Sequence, residues 1–425
     1  MTLLNIENNI LLCRKWMFLA VCALGLAGLL SIIVVFLRLP IVSSLIPFAQ
    51  YIFDNALVIH VNLSILVWMC SIISLLFIVN LPSTKRYLNI SWILSILATT
   101  LIFISAFVPN SETIKSNYVP VLQNKLFLFG LSLFVISTLT TIAFTLNKHP
   151  TLLSIAVILL CSLLSLALAY QNMPSDLYES DKSLFYEYLF WGSGHLLQFA
   201  FTQGMFLVYL IMLNNISSKI TILSSIVNTV LVACAPFVYL AYSVDSVELI
   251  QFFTWHMRIA GAILPCFLTV LVCCNIKTLL SNKENYLLHS FVLFIYGGIL
   301  GILSIEGNVV IPAHYHGSVV GITIAFMNFV YWLLPKLGCI KVKNSVMKLQ
   351  IYTYSIGHFL HITGLVWLGG YGALRKVASL PDISSILARI CFIVGGAISV
   401  VGGILFVIVV FLHLFKKNHL STVNS

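Results

Sequence analysis

Pro312-Ala313-His314-Tyr315-His316-Gly317, near the start of a long apolar stretch, decides how this chain is read. On an α-helix, residues two apart are rotated by roughly 200°. His314 and His316 therefore point to opposite flanks of one helix. A single metal needs converging ligands, so the spacing suits two separate centres, one on each side. Imidazole is the usual axial ligand of haem iron, and an ionisable residue inside a membrane is a functional candidate by default. One helix gripping two haems is the sharp interpretation. A pair of helix histidines bonded only to backbone is the plain one.

The surrounding composition is that of a membrane protein. Of 425 residues, 60% are hydrophobic and 8% charged, and the mean hydropathy is +1.07. Soluble domains carry roughly 25% charged residues. The whole chain, 1–425, is expected to form a single transmembrane domain, all-α and polytopic. The first ten residues are polar, and the apolar run after Arg14 and Lys15 is long enough to span, which does not suit a cleavable signal.

Twelve candidate spans are found, starting near Trp16, Tyr51, Ile90, Val119, Thr151, Leu184, Thr221, Val247, Tyr286, Val309, Gln350 and Ser384. With the N-terminus inside, 14 of the 22 basic residues fall on inner segments, among them Arg14, Lys85, Arg86, Lys336, Lys341 and Lys417. Most acids fall outside, including Asp176, Glu179, Glu187, Asp245 and Glu306. This bias predicts both termini in the cytoplasm. The net charge of +10 is thus a topology signal and gives no reason to invoke nucleic acid. The ten cysteines show no CxxC and no zinc-ligand spacing, and no disulfide is assigned.

The histidines are layered on this topology. His60 (span 2), His195 (span 6), His256 (span 8), and His314 and His316 (span 10) all fall roughly 8–16 Å below the outer surface at 1.5 Å per residue. His149, His289, His413 and His419 fall in inner loops or near helix ends, where interfacial placement explains them. His358 and His361, one turn apart in span 11, suit packing or hydrogen bonding beside a cofactor.

Together, His60-Val-Asn-Leu-Ser64, Trp191-Gly-Ser-Gly-His195, the Pro312–Gly317 segment and Gly372 to Arg375-Lys376 resemble the haem–copper oxidase superfamily. The family members in question are subunit I of cytochrome c and quinol oxidases, and the chain is similar to a short, divergent branch. The resemblance implies a twelve-transmembrane-helix bundle with two haems. His60 and His316 would be the axial ligands of a low-spin haem. His314 would be the proximal ligand of a high-spin haem with an open position. His195 matches the span-6 copper ligand, and Arg375 and Lys376 match the basic pair that neutralises haem propionates.

The chain departs from the family at the copper. Span 7 reads Val232-Ala-Cys-Ala-Pro-Phe237, without the family's His-His pair. His256 is the one further imidazole in the right layer, and Cys234 a conceivable thiolate. Two histidines are a poor home for a copper that cycles between redox states. The tyrosine that many oxidases place four residues after the span-6 histidine is here Phe199, and there is no lysine between Arg258 and Lys277. No Asp or Glu lies mid-membrane, so pumping by the family's usual routes is not expected.

The implied activity is electron transfer to dioxygen, or to nitric oxide, in a respiratory chain, with the redox chemistry belonging to the haems. No CxxxC copper motif and no CxxCH is present, so a partner subunit, cytochrome or quinol must supply electrons. The competing expectation is a non-catalytic haem-binding membrane protein, an assembly factor or gas sensor on the same scaffold. The implied location is a bacterial inner membrane.

Overall fold

The structure is a computed structural model, and it describes residues 6–38, 40–81, 86–146, 149–215, 219–282, 286–303, 308–370 and 386–416. It is helical apart from one two-residue ladder, Thr113–Ile114 against Val121–Leu122. The long helices are α1 (Ile10–Leu37), α2 (Ala49–Ile78), α3 (Arg86–Ile104), α4 (Lys125–Thr145), α5 (Pro150–Gln171) and α6 (Lys182–Met212). They continue with α7 (Lys219–Ala233), α8 (Val247–Cys274), α9 (Leu287–Leu303), α10 (Val310–Leu333), α11 (Asn344–Gly370) and α12 (Ile386–Leu414).

Among the described residues ten helices are long and apolar enough to cross a membrane, against an expectation of twelve. The two others coincide with sequence spans 9 and 11. α9 has only 17 described residues. α11 has 27, but its polar residues, Tyr354, His358 and His361 among them, lower its hydropathy. Those residues line a cavity described below.

The start of span 4 is also corrected. α4 begins at Lys125, six residues after Val119, because Asn124 caps it: the Phe127 N–H donates to Asn124 Oδ1 at 2.9 Å. The preceding residues turn back through the short ladder instead of entering a helix.

The chain forms two compact units. The first holds α3 to α8 and the end of α2 from Leu76; the second holds α1, α2 as far as Leu75, and α9 to α12.

In the first unit α3 pairs with α4, α5 with α6 and α7, and α8 with α6 and α7. Lipid tails are as apolar as leucine, so helix association relies on close packing and interhelical hydrogen bonds. Hydroxyls supply them here. Ser91 meets Thr141 and Ser95 meets Ser137 across α3 and α4. Thr229 donates to Ser154 at 2.7 Å across α7 and α5.

In the second unit α11 packs on α12, α9 on α10, α10 on α11, and α1 on α2 and α12. Glycines set the close approaches. A Cβ on Gly317 of α10 would fall on the backbone of Gly297 of α9, and one on Gly364 of α11 would meet Phe392 of α12. The turn after α10 is tied to α1 through Arg14, whose Nη2 donates to the Leu337 carbonyl at 2.8 Å. That carbonyl ends a helical segment and has no donor within it. All ten cysteines are free thiols.

Candidate functional site

The second unit encloses a cavity of about 550 Å³ lined by α1, α2, α10, α11 and α12. That volume lies in the range of roughly 300–1,000 Å³ typical of small-molecule and cofactor sites. His60 of α2 and His316 of α10 both line it. So do Arg38, Tyr315, His358 and His361.

The orientation of each imidazole is set by the hydrogen bond of its Nδ1. His60 Nδ1 donates to the Ala27 carbonyl of α1 at 2.8 Å. His316 Nδ1 donates to the Pro312 carbonyl one turn back at 2.8 Å. A carbonyl only accepts, so Nδ1 carries the proton and Nε2 carries the lone pair. This is how a neutral imidazole is prepared for a metal: the second nitrogen fixes tautomer and ring direction. Among the described residues neither Nε2 has a hydrogen-bond partner.

Local structure places His60 as well. The backbone of α2 passes into a π-helical stretch, Asn62–Val67, directly after it. Such segments occur as short departures inside α-helices, frequently at functional sites. Ser64 Oγ donates to the His60 carbonyl at 2.7 Å and Asn62 Nδ2 to the Val58 carbonyl at 2.9 Å. These side chains satisfy carbonyls where the ladder changes register.

His358 and His361 sit beside His316, with ring centroids 6.3 and 5.3 Å away. His361 Nδ1 donates to the Phe392 carbonyl of α12 at 2.9 Å and its ring stacks on Phe392. Both therefore pack next to the paired histidines, as their helical spacing indicated.

His314 takes the other flank of α10. Its Nδ1 donates to the Gly297 carbonyl of α9 at 2.7 Å. A Cβ on Gly301 would stand 2.5 Å from the His314 ring, so that glycine makes the room for the imidazole. His314 does not line the cavity that holds His316.

In the first unit, His195 Nδ1 donates to the Trp191 carbonyl at 2.6 Å, and the Tyr118 hydroxyl donates to His195 Nε2 at 2.9 Å. His256 Nε2 donates to the Leu231 carbonyl at 3.0 Å, and its ring packs on Phe199 and Phe252. Leu231 lies in the last turn of α7, where carbonyls lack helical donors. His256 thus closes the end of a neighbouring helix.

A family model for cytochrome c and quinol oxidase polypeptide I matches residues 12–405. This chain belongs to that family. It is 31% identical to an uncharacterized protein of Rickettsia prowazekii (strain Madrid E), RP382, over 95% of this chain and 96% of that one. It is 23% identical to an uncharacterized protein of Aquifex aeolicus (strain VF5), over 76% of this chain and 84% of that one.

As a polypeptide I family member, the chain can be tested residue by residue against the groups that the family binds. For a haem between His60 and His316 the residues fit: a cavity of suitable size, two imidazoles on its wall, and both Nε2 atoms unprotonated. For a copper on His195 and His256 they do not. His195 Nε2 is taken by the Tyr118 hydroxyl and His256 Nε2 by the Leu231 carbonyl, which leaves the buried His256 Nδ1 as the one open ring nitrogen of the two. Among the described residues no group of three His, Cys, Asp or Glu is arranged to hold a metal ion.

Arg375 and Lys376, expected at haem propionates, lie outside the described residues, as does Glu306. Two residues beside these histidines, Arg38 in the second unit and Tyr118 in the first, carry no local mark in the sequence. Arg38 lines the cavity, with its guanidinium 5.7 Å from the Phe53 ring centre and 5.8 Å from that of Phe392. A cation at a span end reads as interfacial, so nothing local marked it. Tyr118 lies in what read as the edge of span 4.

Proposed function

We propose that this family member is a haem-bearing respiratory oxidase-type protein that carries electrons through a low-spin haem to a second, high-spin haem and on to dioxygen or nitric oxide. The observation that carries the reading is the cavity with His60 and His316 on its wall and both Nε2 atoms free. A haem bound there supplies one-electron exchange. The chain's own contribution is orientation and charge. The Ala27 and Pro312 carbonyls hold the two imidazoles in the ligating tautomer. Arg38 is half-buried on the cavity wall with its Nε unpartnered among the described residues, and an anionic group such as a propionate would offset its charge. His314 is proposed to ligate the second haem on the α9 side of α10, with Arg375 and Lys376 at the propionates.

In this reading the chain is one twelve-helix transmembrane domain with both termini on the cytoplasmic face, in a bacterial inner membrane. It contacts lipid, other oxidase subunits and an electron donor, either a cytochrome or a quinol.

A second reading is supported by the engagement of His195 and His256 with protein groups. It is a non-catalytic haem protein on the same scaffold, an assembly factor or gas sensor.

Optical spectra and haem quantification of purified protein test both. Wild type should carry two haems. His60→Ala should lose the bis-histidine spectrum and retain one haem that binds carbon monoxide. An unchanged two-haem spectrum in His60→Ala would sink the pairing of His60 with His316. Oxidant consumption with a reduced donor then separates enzyme from sensor.

A further inference from the structure

We propose that the Tyr118 hydroxyl, and not a copper ion, is the standing partner of His195 Nε2, so that the first unit carries a copper-free tyrosine–histidine pair. The pair belongs to α6 and the loop before α4, in the first unit, whereas the haem reading rests on residues of the second.

The loop is built to deliver Tyr118. It is clasped along α6 by successive polar ties. Lys182 Nζ pairs with Glu112 at 3.0 Å. The Tyr186 hydroxyl donates to Gln123 Oε1 at 2.9 Å. The Asn117 backbone N–H donates to Glu187 Oε2 at 2.9 Å, and the Asn117 side-chain amide donates to the other oxygen of the same carboxylate. Ser116 Oγ closes the loop on the Val119 carbonyl at 2.6 Å. Glu187, Trp191 and His195 are four residues apart and so share one face of α6. With Asn117 held by Glu187, the next side chain reaches His195, two turns along that face.

The receiving surface fits a phenol ring. A Cβ on Gly194 would coincide with the Tyr118 ring, so the glycine is the space the ring uses. Trp191 meets Tyr118 edge-on at 6.0 Å, and the His195 ring centre lies 4.7 Å from that of Tyr118. His195 is 4% exposed. Thus Gly194 of the Trp191-Gly-Ser-Gly-His195 segment is accounted for by a tyrosine.

Donor and acceptor roles follow from the carbonyl. Because Trp191 O can only accept, His195 Nδ1 holds a proton and Nε2 offers its lone pair to the Tyr118 O–H. A metal would need that same lone pair. The second imidazole does not make a site by itself: His256 Nε2–H donates to the Leu231 carbonyl, and its open nitrogen, the buried Nδ1, is a single donor while the His195 lone pair stays on the Tyr118 hydroxyl. The pair also holds its proton and does not relay it. Transfer from Tyr118 to Nε2 would leave an imidazolium whose only other proton faces a carbonyl, a buried charge pair with no onward acceptor.

The test uses full-length purified protein, Tyr118→Phe and His195→Gln, each checked for monodispersity by size exclusion. Copper is quantified by mass spectrometry, and histidine nitrogens are observed by NMR after ¹⁵N-histidine labelling. Wild type should hold less than about 0.1 copper per chain, because with His195 Nε2 taken by Tyr118 a single open nitrogen, His256 Nδ1, makes a poor copper site. In Tyr118→Phe one Nε2 resonance should move towards an unbonded acceptor nitrogen, and that resonance should be missing from His195→Gln. Copper that persists in His195→Gln sits on other groups and leaves the pair standing. One copper per chain in wild type, lost in His195→Gln, overturns the proposal, and so does an unmoved resonance in Tyr118→Phe. If His195→Gln fails to fold, copper content and the shift in Tyr118→Phe still decide. Haem is counted separately, so failure of the haem reading leaves this result readable.

Discussion

His60 and His316, the proposed haem ligands, each have the ring set by a backbone carbonyl. Ala27 and Pro312 take the Nδ1 protons, and the lone pairs are left on Nε2. The same device on His361 uses the Phe392 carbonyl. Arg38 adds a charge to this wall. Replacing it by methionine keeps much of the volume and removes the cation. Arg38→Met should lower the midpoint potential of the haem assigned to His60 and His316, since a nearby cation favours the reduced, less positive iron. The effect should be on the order of 1–2 kcal/mol, the Coulomb energy of unit charges about 8–16 Å apart at an effective dielectric near 20. A redox titration of the bis-histidine band measures it, and an unchanged potential would remove Arg38 from the electrostatics of the site.

Helix α10 divides its two histidines between two flanks, and α9 makes one of those flanks. Gly297 and Gly317 bring the two backbones together, and Gly301 leaves room for the His314 ring. Gly301→Val should push that ring aside. Carbon monoxide binding should fall while the His60–His316 spectrum stays, because the cavity lies across α10. Loss of both spectra together would mean that α9 supports the whole unit and not His314 alone. A milder change tests the start of α4. Asn124→Ala removes the cap on the Phe127 N–H, a change worth about 1 kcal/mol. It also removes the hydrogen bond that Asn124 Nδ2 donates to Ser111 Oγ at 2.9 Å. The melting temperature should drop modestly with haem content intact. If Asn124→Ala melts like wild type, the cap contributes nothing in the membrane setting.

Across the molecule, the placement of charge is the feature that orients the chain. Reporter fusions after Arg86 should read cytoplasmic and fusions near Glu179 external. The opposite pattern would reverse every helix and put the histidine layer near the cytoplasmic surface. Agreement at Arg86 and Glu179 but an external reading at Lys417 would mean an even number of crossings between Glu179 and that point, where twelve spans require an odd number.

Periodicity and hydropathy were enough to locate most elements. Span starts at Val247, Val309 and Tyr286 fall within one residue of the observed helices. Apolar length is a local property, and a lipid-facing helix must display it along its own sequence. The opposed flanks of His314 and His316 were likewise legible, because 100° per residue is fixed by backbone geometry. Local pattern failed where a segment's partners lie far along the chain. Val119 looked like the edge of a span, yet residues 112–123 are held by Lys182, Tyr186 and Glu187, more than 60 positions away. No periodicity encodes that distance. The same holds for the tautomers: only the fold brings Ala27 to His60, Gly297 to His314 and Tyr118 to His195. The sequence alone thus determined which helices carry the candidate histidines and that His314 and His316 leave opposite flanks of one of them. Tertiary structure decided which nitrogen of His60 and of His314 is left for a ligand, because their Nδ1 acceptors, Ala27 and Gly297, belong to other helices, whereas His316 finds its acceptor, Pro312, one turn back on its own helix.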